Sequence, residues 1–327
     1  MAERCSRLGV DVVELRSNRL EGLRGTDDRE TYRRAKSTLA ITVAPPSARR
    51  PQPIPPSADW QFHLARGCPA HCQYCYLAGS LPGPPVTRAH ANLEQILAEL
   101  PPLEGQGTVT SRQRARAHEG TTFEASCYTD PLGIEHLTGS LAAAIRFFAG
   151  RPQSGLRFTT KYDAVEELAH LTHGGRTRAR FSVNTQQAAG MEGGTAPVRA
   201  RLEAMSRLAI AGYPVGLTIA PIMPGGDWRR AYAELLDAAA NALAAVDDVD
   251  LTVELITHRF TDTSKTVLRG WYPASKLEMD ESRRTLKRTR FGGSKHVYPK
   301  ELMRDMRGFF EDEIARRLPS AQILYFT

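Results

Sequence analysis

Residues 66–76 read RGCPAHCQYCY, and this stretch decides both the fold and the chemistry that the sequence predicts. Its cysteines, Cys68, Cys72 and Cys75, have the spacing C-x3-C-x2-C. Three thiolates on so short a loop can hold three corners of an iron–sulfur cluster, and one iron is left open because no fourth cysteine lies nearby. Two alternatives are a zinc site completed by His71, which would have to reach back within the loop, and three unrelated buried cysteines.

The composition is that of a globular, core-forming protein. The 327 residues are 41% hydrophobic and 24% charged, which excludes disorder, collagen and coiled coil. The longest uncharged run, residues 208–226, is too rich in glycine and proline for a membrane helix, and no secretory signal is visible. The five cysteines are an odd number, which argues against a disulfide framework. We therefore expect a soluble, cytoplasmic protein.

Strands and helices alternate along most of the chain, which predicts βαβ units and a parallel sheet. The predicted strands are Gln61–Ala65, Thr122–Ser126, Leu156–Thr160, Arg180–Val183, Val215–Ala220 and Leu251–Thr257. The predicted helices are Leu93–Leu100, Ile134–Ala149, Asp163–Leu171, Pro197–Ala211 and Arg229–Val246. Six strands are too few for a closed eight-stranded barrel, so we expect an α/β fold with an open partial (β/α)6 barrel.

Three parts are expected along the chain. Residues 1–58 form an N-terminal segment whose proline-rich stretch, Pro45–Pro56, is predicted to be a stiff linker rather than a packed element. Residues 59–260 form the barrel, and residues 261–327 form a C-terminal part with a β-hairpin and a helix.

Chemistry-bearing residues follow the predicted strands. Cys127 comes after the second strand, Lys161 after the third and Asn184 after the fourth. Ligands and catalytic groups of parallel sheets collect at the carboxyl ends of the strands. We therefore expect these side chains to converge on the cysteine loop, which follows the first strand.

The cysteine spacing, with an aromatic residue before the third cysteine, resembles the motif of radical S-adenosylmethionine enzymes. In that superfamily the open iron of a [4Fe–4S] cluster binds S-adenosylmethionine, and reductive cleavage yields a 5′-deoxyadenosyl radical. The superfamily also has the open barrel of six βα units. The resemblance extends to the spore photoproduct lyase family through Gly67–Cys68, His71–Leu77, Phe123–Cys127, Asp130, Gly133–Thr138, Leu156–Lys161, Arg180–Asn184, Ala211–Pro214, Phe291–Gly293, Val297–Lys300 and Tyr325–Thr327.

That family repairs the thymine–thymine spore photoproduct in DNA, reverting it to two thymines. The resemblance implies that the three loop cysteines bind the cluster and that Cys127 returns a hydrogen atom to the product radical. It assigns Tyr74 and Tyr76 to carrying the radical back to the cofactor. The positions implied to contact the cofactor or nearby substrate are Lys161, Ser182, Asn184 and Thr129.

Residues 283–295 hold six cations and no acid. Gly292 and Gly293 are a turn signal, so a basic β-hairpin is expected there. In the family the corresponding hairpin wedges into the duplex where the lesion is extruded, which agrees with the need to unstack a base before acting on it. The implied DNA-contacting residues are Arg283, Arg284, Lys287, Arg288, Arg290, Phe291, Lys295 and Tyr298.

The resemblance implies double-stranded DNA with a thymine dimer lesion as substrate, and an electron donor such as flavodoxin or ferredoxin as partner. Two other functions stay open on the sequence alone. One is a radical enzyme of the same fold that acts on a different DNA lesion, RNA or a peptide. The other is a non-catalytic iron–sulfur protein that binds DNA.

Overall fold

The computed structural model describes residues 1–17, 19–81, 83–111, 114–125, 127–288 and 292–327. The strands are β1 (Leu39–Thr42), β2 (Gln52–Ile54), β3 (Ala58–Phe62), β4 (Ala65–Arg66), β5 (His71–Cys72), β6 (Thr87–His90), β7 (Thr121–Ala125), β8 (Ser154–Thr160), β9 (Thr177–Val183), β10 (Glu192–Gly193), β11 (Val215–Ile222), β12 (Leu251–Thr257), β13 (Thr285–Arg288), β14 (Ser294–Val297) and β15 (Gln322–Phe326). The helices are α1 (Ala2–Arg7), α2 (Asp28–Lys36), α3 (Pro46–Arg49), α4 (Leu93–Leu97), α5 (Glu135–Thr138), α6 (Ser140–Ala149), α7 (Glu166–Ala169), α8 (Gln186–Ala189), α9 (Val198–Ile210), α10 (Trp228–Leu243), α11 (Asp262–Trp271) and α12 (Lys300–Arg317).

The main sheet has eight strands in the order β15-β12-β11-β9-β8-β7-β3-β2. The six central strands, in the order β3, β7, β8, β9, β11 and β12, each run parallel to their neighbours in that order. These six strands are the predicted ones, and the two edges of the sheet stay apart, so the expected open (β/α)6 half-barrel is confirmed. Parallel pairing follows from the helices between the strands, because each crossover returns the chain to the same end of the sheet.

Helices cover the outer face of this sheet and bury apolar side chains against it. Phe148 of α6, Met205 of α9 and Phe310 of α12 are fully buried in one continuous core that also includes Phe123 and Phe181 of the strands. A buried aromatic or aliphatic side chain contributes about 1.5–3 kcal/mol through the hydrophobic effect. The core therefore fixes the half-barrel that positions the strand ends.

Charged side chains from four strands of the main sheet meet in a buried network. Arg180 of β9 pairs with Glu124 of β7 and with Glu254 of β12 (2.6 Å), and Arg157 of β8 pairs with Glu254 (3.0 Å). All four side chains are at most 5% exposed. Burial of charges in this manner requires mutual pairing, which the network supplies.

The proline-rich stretch is not the unpacked linker that its composition predicts. It contains α3 and then β2, which pairs antiparallel with β3 at the edge of the main sheet. Proline is tolerated here because an edge strand uses only one side of its backbone for pairing. The last strand of the sheet, β15, also lies outside the six predicted strands and pairs parallel with β12.

Some predicted boundaries are wrong for local reasons. The single helix predicted over residues 134–149 is divided into α5 and α6 at Gly139, which has a left-handed φ of 65° and ends the first helix. The first barrel strand ends at Phe62, and residues 65–66 belong to the separate sheet β1-β6-β4.

The predicted C-terminal hairpin and helix are present as β13–β14 and α12. In the part of the chain that the structure describes, none of the helices combines the length and the apolar character that a membrane span needs. The division into three parts at residues 58 and 260 stays a prediction.

Candidate active site

The cysteine loop is shaped by its flanking backbone. Gly67 has a φ of 83°, and a Cβ atom at this position would collide with the carbonyl oxygen of Val86, so only glycine fits the turn into the loop. Within the loop, β5 pairs antiparallel with β10, and the amide of Gln73 donates to the carbonyl of Met191 at 2.9 Å. A segment 120 residues further along the chain therefore holds the cysteine loop in place.

The three loop cysteines are free thiols that share one cavity of about 390 Å³. Burial raises the pKa of Cys68 to about 12 and also raises the pKa values of Cys72 and Cys75. Deprotonation of all three thiols in this setting requires a compensating positive charge, which bound metal ions supply. The donor set consists of soft sulfur ligands, which suit iron–sulfur clusters and zinc.

The position of His71 distinguishes these two alternatives. A structural zinc ion takes four ligands, so His71 would have to join the three cysteines. His71 precedes Cys72 on β5, and adjacent residues of a strand point to opposite faces. Its ring lies 3.4 Å from the hydroxyl of Tyr32. The three thiols without His71 fit an iron–sulfur cluster with one open iron rather than the zinc alternative.

Lys161, at the end of β8, is the centre of a polar cluster beside the cysteine loop. Its Nζ donates to Ser182 Oγ (2.9 Å), to Tyr74 Oη (3.3 Å) and to Glu192 Oε1 (2.6 Å). Glu192, in turn, accepts a hydrogen bond from Tyr74 and pairs with Arg201 at 2.6 Å. The structure thus brings together three predicted site residues, Tyr74, Lys161 and Ser182, around a carboxylate that the sequence analysis did not select.

Cys127 lies at the end of β7 and contacts the loop through Tyr76, whose hydroxyl donates to the carbonyl oxygen of Cys127. Burial, and after it the carboxylate of Glu124, raises the pKa of Cys127 well above that of an ordinary thiol. Three residues further on, the buried carboxylate of Asp130 accepts from the amide of Lys161 at 2.6 Å. Cys127, Tyr76 and Lys161 are therefore linked into one site.

Two other predicted cofactor positions differ in their surroundings. The side-chain amide of Asn184 already has internal partners: its Nδ2 donates to the carbonyl of Pro221 (2.7 Å), and its Oδ1 accepts from Tyr232 Oη (3.0 Å). Thr129 has a buried hydroxyl oxygen without a partner within the described residues. Asn184 is thus held in place by internal bonds, whereas the hydroxyl of Thr129 has no such bond to break on contact with a ligand.

The predicted basic hairpin has the expected register. Lys287 of β13 lies directly opposite Lys295 of β14, and Arg283, Lys287 and Arg288 are exposed. Burial, followed by the nearby charges of Arg259 and Lys287, lowers the pKa of Lys295. Like charges directly opposite each other destabilise a hairpin, so this surface favours an anionic ligand. The predicted contacts Arg290 and Phe291 lie outside the described residues.

Arg284 and Tyr298 do not belong to this exposed surface, which corrects their selection as DNA contacts. Both are less than 10% exposed, and the guanidinium of Arg284 lies 3.7 Å from the ring centroid of Tyr298. Arg284 also pairs with Glu278 (2.5 Å) and donates to the carbonyl of His258 (3.0 Å) at the end of β12. Its partners are all internal, so it anchors the base of the hairpin to the barrel.

Two residues near the cysteine loop were missed by the sequence analysis. Glu192 sits on the two-residue strand that pairs with the loop, and Lys36 donates to the carbonyls of Cys68 and Ala70. An acidic residue followed by Gly193 and Gly194 was the only local signal for the first. No local pattern marks the second, because it comes from a helix more than 30 residues before the loop.

An open parallel half-barrel with a three-cysteine loop after its first strand defines the class of radical S-adenosylmethionine enzymes. The family model for spore photoproduct lyase matches residues 1–327. The spore photoproduct lyase of Geobacillus sp. (strain Y412MC61) is 40% identical over 327 residues, which cover 99% of this chain and 93% of the relative. That of Bacillus subtilis (strain 168) is 37% identical over 329 residues, covering 100% and 93%. The chain belongs to the spore photoproduct lyase family.

Solved structures agree with this assignment. A spore photoproduct lyase complexed with dinucleoside spore photoproduct has a TM-score of 0.91 and 38% identity, covering 99% of this chain and 93% of that chain. A mutant spore photoproduct lyase with bound AdoMet and dinucleoside spore photoproduct has a TM-score of 0.90 and 37% identity, with the same coverage.

Proposed function

We propose that this protein is a radical S-adenosylmethionine lyase that reverts spore photoproduct in DNA to two thymines. The observation that carries the proposal is the hydrogen bond from Tyr76 to the backbone of Cys127, because it places Cys127 directly beside the cysteine loop. Solved relatives that bind AdoMet or dinucleoside spore photoproduct, and that share the fold over almost the whole chain, support it.

In this proposal Cys68, Cys72 and Cys75 hold a [4Fe–4S] cluster, and Lys161 with Ser182 binds the carboxylate of S-adenosylmethionine. Thr129 and Asn184 complete the contacts to the cofactor or to nearby substrate. When bound, the cluster and cofactor supply a 5′-deoxyadenosyl radical that takes a hydrogen atom from the lesion. The ammonium of Lys161 is suited to its role because it is only 15% exposed and already aligned by Ser182.

Cys127 donates the hydrogen atom that completes the repaired thymine after the bridge between the two bases breaks. This step needs an intact S–H bond, since a thiolate has no hydrogen atom to give. The raised pKa of Cys127 keeps the thiol protonated at neutral pH. Burial and the negative charge of Glu124, which oppose the nucleophilic use of a cysteine, favour its use as a hydrogen donor.

Tyr74 and Tyr76 return the radical from Cys127 towards the cofactor. Tyr76 contacts the backbone of Cys127, and Tyr74 contacts the Lys161–Glu192 pair on the cofactor side. The hydroxyl of Tyr76 thus lies at Cys127, and the hydroxyl of Tyr74 lies on the cofactor side. Both tyrosines are sequence neighbours of Cys75, which supports a relay between the two sides.

The hairpin β13–β14 binds the DNA backbone beside the lesion through Arg283, Lys287, Arg288 and Lys295. Its exposed cations Arg283, Lys287 and Arg288 match the phosphate backbone, and the exposed side chain of Leu286, at 61%, gives it an apolar contact for bases. Arg290 and Phe291, which lie between β13 and β14 in the sequence, belong to the same proposed surface. Double-stranded DNA as substrate, a flavodoxin- or ferredoxin-like electron donor and a cytoplasmic location are parts of this proposal.

An anaerobic assay on oligonucleotides that contain spore photoproduct tests the proposal. The reconstituted protein with dithionite and S-adenosylmethionine is expected to form thymine, and Cys127→Ala to stop thymine formation without changing the cluster spectrum. Cys127→Ser is expected to behave like Cys127→Ala, because an O–H bond is too strong to supply hydrogen to a carbon radical.

Two outcomes would contradict the proposal. Cofactor cleavage without thymine formation in the unmodified protein would indicate a radical enzyme with another substrate, such as a different lesion, RNA or a peptide. DNA binding without cofactor cleavage would indicate a non-catalytic iron–sulfur protein.

A further inference from the structure

Lys36 places a positive charge next to the cysteine loop from outside the barrel. It is the last residue of α2, and its Nζ donates to the carbonyl oxygens of Cys68 and Ala70. These two carbonyls flank Pro69, so the ammonium spans the first turn of the loop. Lys36 also lines the cavity that the three loop cysteines share.

The position of Lys36 is fixed by packing rather than by a flexible surface contact. Tyr32, one helical turn earlier, is 8% exposed and packs on Trp271 of α11 with 4.6 Å between ring centroids. The Lys36 ammonium lies 5.7 Å from the Tyr32 ring, within the range of a cation–π contact. Helix α2 is therefore held against α11 while its last side chain reaches into the cavity.

No carboxylate among the described residues forms an ion pair with Lys36. Its Nζ donates instead to the carbonyl oxygens of Cys68 and Ala70. Lys161, on the other side of the loop, differs because Glu192 pairs with it at 2.6 Å. Lys36 thus acts on the loop together with Lys161, and of the two it is the one without a carboxylate partner in the described part of the chain.

An iron–sulfur cluster held by three thiolates carries net negative charge, and one added electron makes it more negative. A fixed cation nearby stabilises the reduced state more than the oxidised state, and partial burial limits screening by water and salt. We propose that Lys36 is a positioning residue that shapes the cysteine loop and raises the reduction potential of the cluster. The reduction takes one electron from an external one-electron donor and moves no proton through Lys36.

This inference rests on the cluster assignment within the proposed function, not on the lesion. Its test therefore uses no DNA, so its outcome is independent of whether spore photoproduct is the substrate. Anaerobically reconstituted protein is titrated with dithionite in the presence of redox mediators, and the reduced cluster is followed by electron paramagnetic resonance. Iron and sulfide contents are measured on the same samples.

Lys36→Met is expected to shift the midpoint potential to a more negative value, whereas Lys36→Arg keeps it near that of the unmodified protein. Lys300→Met removes an exposed lysine at the start of α12 and is the control, with no expected shift. An unchanged potential in Lys36→Met, or the same shift in Lys36→Arg, would overturn the proposal.

Partial loss of iron from Lys36→Met does not prevent this measurement, because the titration reports only the clusters that are present. Lys36→Gln, which keeps a hydrogen-bond donor but not the charge, is the second variant and is expected to shift in the same direction as Lys36→Met. Complete loss of iron from both variants would overturn the electrostatic role and leave only a role in folding the loop.

Discussion

The end of the half-barrel and the C-terminal hairpin differ in whether their charged side chains are paired. At the barrel end, Glu192 pairs with both Lys161 and Arg201, and none of the three side chains is more than 15% exposed. On the hairpin, Lys287 faces Lys295 across the strand pair, where a carboxylate would relieve the repulsion. The first region is internally balanced, and the second has an excess of positive charge.

This difference corresponds to two kinds of task. Groups that hold a small cofactor have to be oriented before it arrives, which requires internal partners that fix their positions. Cationic groups that bind a phosphate backbone gain affinity because counterions are released from the DNA. Carboxylates of the protein that paired with these groups would compete with the phosphates for them. Variants in the two regions are therefore expected to fail in different measurements.

The largest effect is expected at the cysteine loop. Cys72→Ala removes one of three thiolate ligands, and Cys72 also belongs to the short strand that pairs with β10. We expect loss of the bound cluster and of all cofactor cleavage and repair, measured by iron content and by product formation. Cys5→Ala, in a buried position on α1, is the control and should retain both. Full iron content in Cys72→Ala would contradict the assignment of the ligands.

Glu192→Gln tests the internal balance at the barrel end. It leaves the buried cations Lys161 and Arg201 without a charged partner, and breaking a buried ion pair in this way costs about 3–5 kcal/mol. We expect a loss of unfolding free energy of that size in denaturant titrations, and a repair rate at least about tenfold lower.

Glu203→Gln is the matched control for this variant, because it removes the carboxylate of an exposed pair with Arg199. Exposed pairs contribute about 0–1 kcal/mol, so little change is expected. Equal losses of stability in Glu192→Gln and Glu203→Gln would show that burial does not distinguish the two pairs.

On the hairpin, the double variant Lys287→Ala/Arg288→Ala should weaken DNA binding without changing the cluster. Loss of two phosphate contacts is expected to lower affinity by about tenfold at low salt and to reduce the slope of log affinity against log salt by about 2. Fluorescence anisotropy over a salt series measures both. Arg199→Ala, an exposed cation on α9, is the control. A variant whose affinity falls without any change in salt dependence would argue against phosphate contacts.

The sequence predicted the half-barrel and the cysteine loop because each depends on local patterns. Alternating strands and helices fix a parallel sheet, and C-x3-C-x2-C places three ligands within eight residues. The same logic located Lys161 and Cys127, since both directly follow barrel strands. Local pattern was also sufficient for the hairpin, where Gly292 and Gly293 follow a basic stretch.

Residues whose positions depend on long-range packing could not be found in this way. Lys36 reaches the loop from α2, and Glu192 reaches it through a two-residue strand. Arg284 shows the opposite case. Its place in a basic stretch predicted an exposed DNA contact, but its side chain is buried against Glu278 and the ring of Tyr298. A basic stretch of sequence therefore indicates a DNA-binding surface only where its side chains do not pair with internal groups.

The smallest expected effect concerns the thiol of Cys127 and shows how the internal charges act on it. Because burial and Glu124 raise its pKa, alkylation by iodoacetamide should stay slow through the pH range where ordinary thiols, with a pKa of about 8.5, react. Glu124→Gln removes a negative charge and leaves Arg180, which lowers the pKa, so the alkylation profile should shift to lower pH.

We expect alkylation of Cys127 in Glu124→Gln to be a few-fold faster near pH 9, since a shift of one pKa unit changes the thiolate fraction by up to about tenfold. Mass spectrometry of the peptide that contains Cys127 separates its reaction from that of Cys5. Glu119→Gln removes another buried carboxylate, paired with Arg116, and is the control. Identical profiles for Glu124→Gln and the unmodified protein would show that burial alone keeps the hydrogen on Cys127. The buried pair of Glu124 and Arg180 would then contribute only to the packing of the barrel.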